Sequence, residues 1–207
     1  MFYSFLRFFL KKTYRLYSQL MTFIHFKGNK VSYSSFRTHG IPFVNIEKGA
    51  KLSFGEDFSM NNGMAGNQIG YISPCIFVAK EKAQIKIGNH VGLSQTTIFA
   101  YADVTIDDYA LLGGGVKIYT SDFHSLDYEN RRNWIVDCKN KVSKPVHIEE
   151  SAFVGAGTII LKGVTIGARS IIGAGSVVAK NIPADCIAGG NPCKVIKMNM
   201  RNETPEA

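Results

Sequence analysis

The sequence predicts a mainly β chain wound into a parallel β-helix, with an amino-terminal helix and one protruding loop. The first observation is a repeat of six. From Ile148 to Pro183 the chain reads Ile148-Glu-Glu-Ser-Ala-Phe, Val154-Gly-Ala-Gly-Thr-Ile, Ile160-Leu-Lys-Gly-Val-Thr, Ile166-Gly-Ala-Arg-Ser-Ile, Ile172-Gly-Ala-Gly-Ser-Val and Val178-Ala-Lys-Asn-Ile-Pro. Every block opens on an aliphatic residue. The second observation is the fifth place, which holds Ala152, Thr158, Val164, Ser170, Ser176 and Ile182, all small or β-branched. The third is Gly in the second or fourth place of most blocks. An α-helix cannot use a period of six, because at roughly 100° per residue successive aliphatics land about 240° apart and spread over three faces. Short strands can use it: places one and five can share one side of an extended segment, and Gly takes the tight corners. Stacked coils of this kind bury one continuous aliphatic column.

In chain order, residues 2–26 read as an amphipathic helix, with Phe2, Phe5, Leu6, Phe9, Leu16, Leu20 and Phe23 near helical spacing and Arg7, Lys11, Lys12 and Arg15 interleaved. Its longest uncharged run, Leu16 to Phe26, falls well short of the roughly 20 residues of a membrane span. Two readings stay open: a basic, aromatic helix lying in the plane of an anionic membrane surface, or a helix packed on the prism or on a neighbouring subunit. Residues 28–40 are polar and read as a connector, and Ile41-Pro42 begins the strand pattern. A Gly- and Asn-rich passage from Asn61 to Gly70 is expected to bulge outward. The rhythm returns at Ile87 and Leu93, slips by one near residues 101–104, and resumes at Ile106, Leu112 and Ile118. Together the hexads predict about seven coils of roughly 18 residues, a prism about 34 Å long at about 4.8 Å per coil. The organisation expected is an arm over 1–40, a β-helix over 41–197 with a loop at 124–145, and a polar tail over 198–207.

At 207 residues, 45% hydrophobic and 19% charged, the chain has the composition of a soluble globular domain and can bury a full core. The net charge of +8 is local. Residues 1–46 hold seven Lys/Arg and no Asp or Glu, leaving 17 basic and 16 acidic side chains on the other 161 residues. The β-helix is therefore near neutral, which argues against a nucleic-acid partner. Cys75, Cys138, Cys186 and Cys193 show no metal spacing, and no cleavable signal precedes them, so a reduced, cytoplasmic setting is expected.

Between Phe123 and Pro145 the rhythm stops, and the insert carries eight charged residues and the only tryptophan, Trp134. A loop longer than about 12–15 residues inside a compact domain is functional or disordered. His124 stands where the rigid wall gives way to that loop, which makes it the candidate functional histidine. His25 and His39 lie in the arm, His90 sits at a corner and His147 just before the column resumes; each reads as solvated or packed.

The segments Ile118-Tyr-Thr-Ser-Asp-Phe-His124, Lys144-Pro145-Val146, Gly173-Ala-Gly-Ser-Val-Val-Ala-Lys180 and Gly190-Asn-Pro-Cys-Lys-Val-Ile-Lys197 resemble the hexapeptide-repeat acyltransferases, and most of all the maltose, galactoside and polysaccharide O-acetyltransferases. The resemblance covers roughly residues 41–197. It implies a left-handed coil, a handedness that the general rule for parallel crossovers does not supply. It implies an acetyl-CoA-dependent transferase acting on a sugar hydroxyl, in capsule, O-antigen or exopolysaccharide assembly, with His124 as general base; the alternative is N-acetylation of an amino sugar nucleotide. Imidazole, with an ordinary pKa near 6.5, suits removal of a hydroxyl proton as the oxygen attacks a thioester. The resemblance also implies a homotrimer with sites between prisms, and a coenzyme groove along Gly155, Ala156, Ala174, Ala179 and Lys180, with Lys194 and Lys197 where the family often has Arg. Ser94 or Gln95 stand where the family has an acceptor-binding Asn, Asp122 or Asp127 are candidates to orient the imidazole or bind the sugar, and Phe153 replaces a Trp beside the acyl site. No metal is expected: the carbonic anhydrase variant of this prism needs two histidines five apart plus a third, and none of the five here has that spacing. An ice-binding scaffold would show rows of outward Thr, whereas the outward places here are mixed.

Overall fold

The computed structural model describes residues 2–198 and shows a three-sided prism of parallel strands behind one long helix. Face A stacks Ser32–Tyr33, Lys51–Phe54, Gln84–Ile87, Val104–Ile106, Val146–Ile148 and Thr165–Ile166. Face B stacks Phe36–His39, Phe58–Asn61, Gly92–Ser94, Leu111–Leu112, Phe153–Val154, Ile171–Ile172 and Cys186–Gly189. Lys194–Met198 turns back antiparallel to close the last edge of face B. Face C stacks Phe43–Ile46, Ile76–Ala79, Thr97–Ala100, Lys117–Tyr119, Ile159–Ile160 and Val177–Val178.

The six-residue period maps directly onto this prism. Place one of each block points inward: Phe54, Ile87, Ile106, Ile148 and Ile166 stand in direct register up face A, none more than 4% exposed. Place five fills the inside of each corner, where a polar side chain needs a local partner. Ser170 and Ser176 supply their own, donating through Oγ to the carbonyls of Gly167 and Gly173, both at 2.6 Å.

The first coil begins earlier than the sequence indicates. Ser32–Tyr33 and Phe36–His39, read as connector, pair with Ser53–Phe54 and Phe58–Asn61. The prism has six complete coils and part of a seventh, in line with the about seven that the hexads predict. The strand pattern of residues 32–39 is easily missed because this end coil is not covered by another coil but by a helix.

That helix, α1 (Phe2–Gly28), caps the amino-terminal end of the prism. An end strand presents unpaired backbone groups, and Gln19 meets them: its Nε2 donates to the Phe36 carbonyl at 3.0 Å, and the Thr38 N–H donates to its Oε1 at 3.3 Å. Phe26 is fully buried and stacks on Phe54 with ring centroids 5.2 Å apart. The passage after Asn61 does leave the wall, through the short helix α2 (Gly63–Gly66), but it then folds back along the corner between faces B and C. There Tyr71 lies on Gly115 and Gly157, two glycines with φ of +73° and +71°, where a Cβ would collide with the tyrosine ring or hydroxyl. Residues 199–207, the greater part of the polar tail, lie outside the described residues.

If the column carries the stability, truncating it should be costly. Ile148→Ala, at a fully buried rung between Ile106 and Ile166, should lose about 2–5 kcal/mol, read as a lower midpoint in denaturant unfolding.

Candidate active site

The insert leaves face C after Tyr119 and returns to face A at Val146. Its base is closed like a hairpin: Ser121 and Ser143 form an antiparallel bridge, Asp122 N–H donates to the Val142 carbonyl at 3.1 Å, and Lys144 N–H donates to the Thr120 carbonyl at 2.9 Å. Lys141 is anchored to the two preceding coils, with Nζ 2.6 Å from a Glu81 carboxylate oxygen and 4.2 Å from the Tyr101 ring centroid. At the exit Phe123 adopts φ +65°, a left-handed backbone uncommon outside glycine. Its ring offsets the strain by packing edge-on against Phe99 and Tyr119, with centroids 5.2 and 5.5 Å away. His124 is thereby aimed from a fixed point.

Two short helices, α3 (Tyr128–Arg131) and α4 (Trp134–Asn140), fold the insert back toward that point. Asn133 caps α4 by accepting from the N–H groups of Ile135 and Val136. The turn that follows buries Asp137, which is 4% exposed, against the start of the insert. Its Oδ2 is 2.6 Å from His124 Nδ1, and its Oδ1 accepts from Ser125 N–H at 2.7 Å. The hydrogen bond from His124, then that from Ser125, hold the Asp137 carboxyl below the usual carboxylate range, against the cost of burial. An ionised carboxylate only accepts, so Nδ1 of His124 is the donor in this bond, and in the neutral imidazole the lone pair then lies on Nε2. The imidazole is 59% exposed. This arrangement offers a fixed, outward-facing base.

No repeat or motif in the sequence distinguishes Asp137 from the other acidic residues of the insert. The signal available was its setting: Ile135, Val136 and Cys138 surround it in sequence, whereas Glu129 is followed by Asn130, Arg131 and Arg132. The two aspartates named for the imidazole do other work. Asp122 pairs with Lys162 at 2.6 Å, its second oxygen buried and without a partner among the described residues, and Asp127 caps α3 by accepting from Glu129 N–H. A second pair of the same type, His147 Nε2 to Asp107 at 2.7 Å, lies on face A, in the strand that follows the insert.

Gln95 cannot reach an acceptor. It is 1% exposed, and its Nε2 donates to the carbonyls of Gly63, Asn67 and Tyr71 at 3.1, 3.0 and 2.6 Å, so it pins the folded-back loop. Ser94 is partly exposed, with Oγ accepting from Asn61 Nδ2 at 3.2 Å. Phe153 faces outward on face B beside Leu111 and Ile171. Gly155, Ala156 and Ala174 lie together at the corner between faces B and C, where a Cβ on Gly155 would meet the Ala174 nitrogen at 2.5 Å. Ala179 and Lys180 lie exposed at the corner between faces C and A, the corner that carries His124. Lys194 and Lys197 are exposed on the returning strand. Within one prism the two groups of coenzyme candidates are therefore separated by the width of face C. No cluster of three or more His, Cys, Asp or Glu suited to a metal occurs among the described residues.

A family model described as bacterial transferase hexapeptide (six repeats) matches residues 145–180. Protein CapG of Staphylococcus aureus is 34% identical over 146 residues, covering 67% of this chain and 70% of that protein. The chain belongs to the hexapeptide-repeat transferase family. A hexapeptide-repeat-containing acetyltransferase from Vibrio cholerae, 32% identical, aligns in its crystal structure with a TM-score of 0.51 over 61% of this chain and 70% of that one. The same Vibrio enzyme has also been crystallised with acetyl coenzyme A. Galactoside O-acetyltransferase of Lactococcus lactis is 37% identical over 99 residues, 48% of this chain and 45% of that one. The chain spans about half the length of the first curated relatives it matches. Its prism is the left-handed parallel β-helix of the hexapeptide-repeat family.

Two measurements probe this local design. In Gln95→Leu the loop loses an amide whose two N–H groups are shared among three carbonyls, each full bond on the order of 1 kcal/mol, so amide exchange over residues 63–72 should accelerate at least tenfold while the column stays protected. For Asp137 the folded carboxyl titrates below its unfolded value, near 3.9. Its contribution to stability is thus complete above that unfolded value and disappears as pH falls through the folded one. Thermal melts recorded from about pH 5 downward should show a shallower loss in Asp137→Asn than in wild type.

Proposed function

We propose that the protein transfers the acetyl group of acetyl-CoA to a hydroxyl of a sugar, in the assembly of a capsule, O-antigen or exopolysaccharide. The single observation that carries this reading is the exposed His124 imidazole, its Nδ1 2.6 Å from the buried Asp137 carboxylate. The Vibrio relative crystallised with acetyl coenzyme A supports the donor, and the Lactococcus galactoside O-acetyltransferase supports the acceptor class.

In this reading Nε2 of His124 takes the hydroxyl proton as the sugar oxygen attacks the thioester carbonyl carbon. The tetrahedral oxyanion is held by backbone N–H groups. The C–S bond then breaks, and the imidazolium returns its proton to the departing CoA sulfur, with no acyl-enzyme formed. Asp137 is a positioning residue: it fixes the tautomer and stabilises the imidazolium that forms in mid-reaction.

A homotrimer completes the site. One prism carries His124, Ala179 and Lys180 on one corner and Gly155, Ala156 and Ala174 on another, so that a neighbour set alongside brings the two sets to one groove. The small residues of the second set leave room for a pantetheine arm, with Lys180, Lys194 and Lys197 as phosphate partners. The insert tip exposes Trp134 and Ile135, and face B exposes Leu111 and Phe153, apolar surfaces suited to burial between subunits. Ser94 and Asp122 remain candidate acceptor contacts. The thioester donor places the reaction in the cytoplasm.

The test is CoA thiol release with hydroxyl- and amine-bearing sugars offered in parallel. His124→Ala should lose about 100-fold or more in rate, and Asp137→Asn should lose activity with a shifted pH–rate profile, both retaining the wild-type oligomer in light scattering. His124→Ala activity within tenfold of wild type would reject the base, and preference for the amine would reject O-transfer.

A further inference from the structure

The amino-terminal helix is amphipathic in the opposite sense to a helix that docks through its apolar side. α1 meets the prism through Ser18, Thr22 and Phe26, four residues apart on one face and all fully buried, with Gln19 beside them. Ser18 Oγ accepts from Gly40 N–H at 3.2 Å. At 3.6 residues per turn, Phe9, Leu16, Leu20, Phe23 and Ile24 fall on the far side, and they are 43–64% exposed. The stripe therefore runs along most of the helix and faces away from the protein. An apolar face of this length in water marks a contact surface.

We infer that this face of α1 docks on an anionic lipid bilayer, with the helix lying in the membrane plane. The charge of the arm selects that occupant over a second copy of the chain. Arg7, Lys11, Lys12, Arg15 and Lys27 belong to α1, and no acidic residue occurs before Glu47. Two such helices laid face to face would gather their cations with no carboxylate of the arm to offset them. A lipid surface of negative headgroups meets the same cations favourably, and a helix about 10–12 Å across keeps all of them within about a Debye length of the headgroup plane. Arg7, Lys11 and Arg15 stand on the prism-ward side, lining a cleft with His39 and Gln68, so the apolar side is left clear of charge along its first turns. Among the described residues no helix is long and apolar enough to cross a membrane, which leaves the in-plane placement. The contact follows from α1 alone and does not depend on the acyl-transfer reading.

The full chain should float with vesicles of phosphatidylcholine mixed with phosphatidylglycerol, and at least tenfold less with phosphatidylcholine alone or at raised salt. The double variant Leu16→Asp/Leu20→Asp changes only exposed positions and should abolish flotation while keeping the wild-type melting temperature and CoA thiol release. Lys11→Glu/Lys12→Glu keeps the apolar stripe and should weaken flotation selectively on the anionic vesicles. Flotation indifferent to lipid charge, or unchanged in the aspartate variant, would overturn the inference. So would an aspartate variant that falls to a smaller oligomer when the wild type does not float, since the face would then join copies of the chain.

Discussion

The register of the inward aliphatic residues is the constraint on which the molecule rests. A parallel coil repeats only if each new rung sets its side chain directly on the one below, and Phe54, Ile87, Ile106, Ile148 and Ile166 do this without a gap. Interiors packed in this way tolerate little change in volume and little sliding. The corners inherit that rigidity. Whatever the chain does outside the prism starts and ends at points set to within a rung.

The insert shows what such fixed points allow. Its two ends are bonded to each other at the corner between faces C and A, so the excursion cannot rotate about its attachment. Phe123, held in a left-handed backbone by an aromatic floor of Phe99, Tyr101 and Tyr119, turns His124 out of the wall. The capped helix α4 brings Asp137 back behind it. A buried carboxylate needs partners, and here His124 and Ser125 are those partners, so the charge that positions the imidazole also ties the insert to its root. One contact holds both the insert and the imidazole.

The two ends and three faces of the prism are finished differently. Face A is polar outward, with Lys51, Gln84, Lys86, Thr105, His147 and Thr165 in register, whereas face B carries Leu111, Phe153, Ile171 and Ile187. The loop after Asn61 seals the corner between faces B and C over glycines that cannot carry a Cβ there, and Gln95 holds it down from below. The four thiols are free, and burial pushes Cys75 up to about 12, so it packs as a small apolar side chain. At the amino end, α1 closes the first coil through Phe26 and through the Ser18 hydroxyl and Gln19 amide, and leaves its longer apolar stripe exposed.

The sequence by itself determined the coil, its column and the place where the rhythm breaks, because a period of six is a local property that recurs at every rung and needs no knowledge of distant neighbours. His124 was legible for the same reason, as the residue at the break. Only the tertiary structure decided what stands behind it: Asp137 lies 13 residues on, across an irregular segment with no period, while Asp122 and Asp127 were nearer in sequence and bonded elsewhere. Ser94 or Gln95 answers to the acceptor-binding place of the resembled family, yet the loop that Gln95 binds lies 24 to 32 residues earlier and covers Gln95. In α1 the pattern announced two faces but not which one the prism would take, since the hydrogen-bonding needs of an end strand favoured Ser18 and Gln19 over the larger apolar stripe.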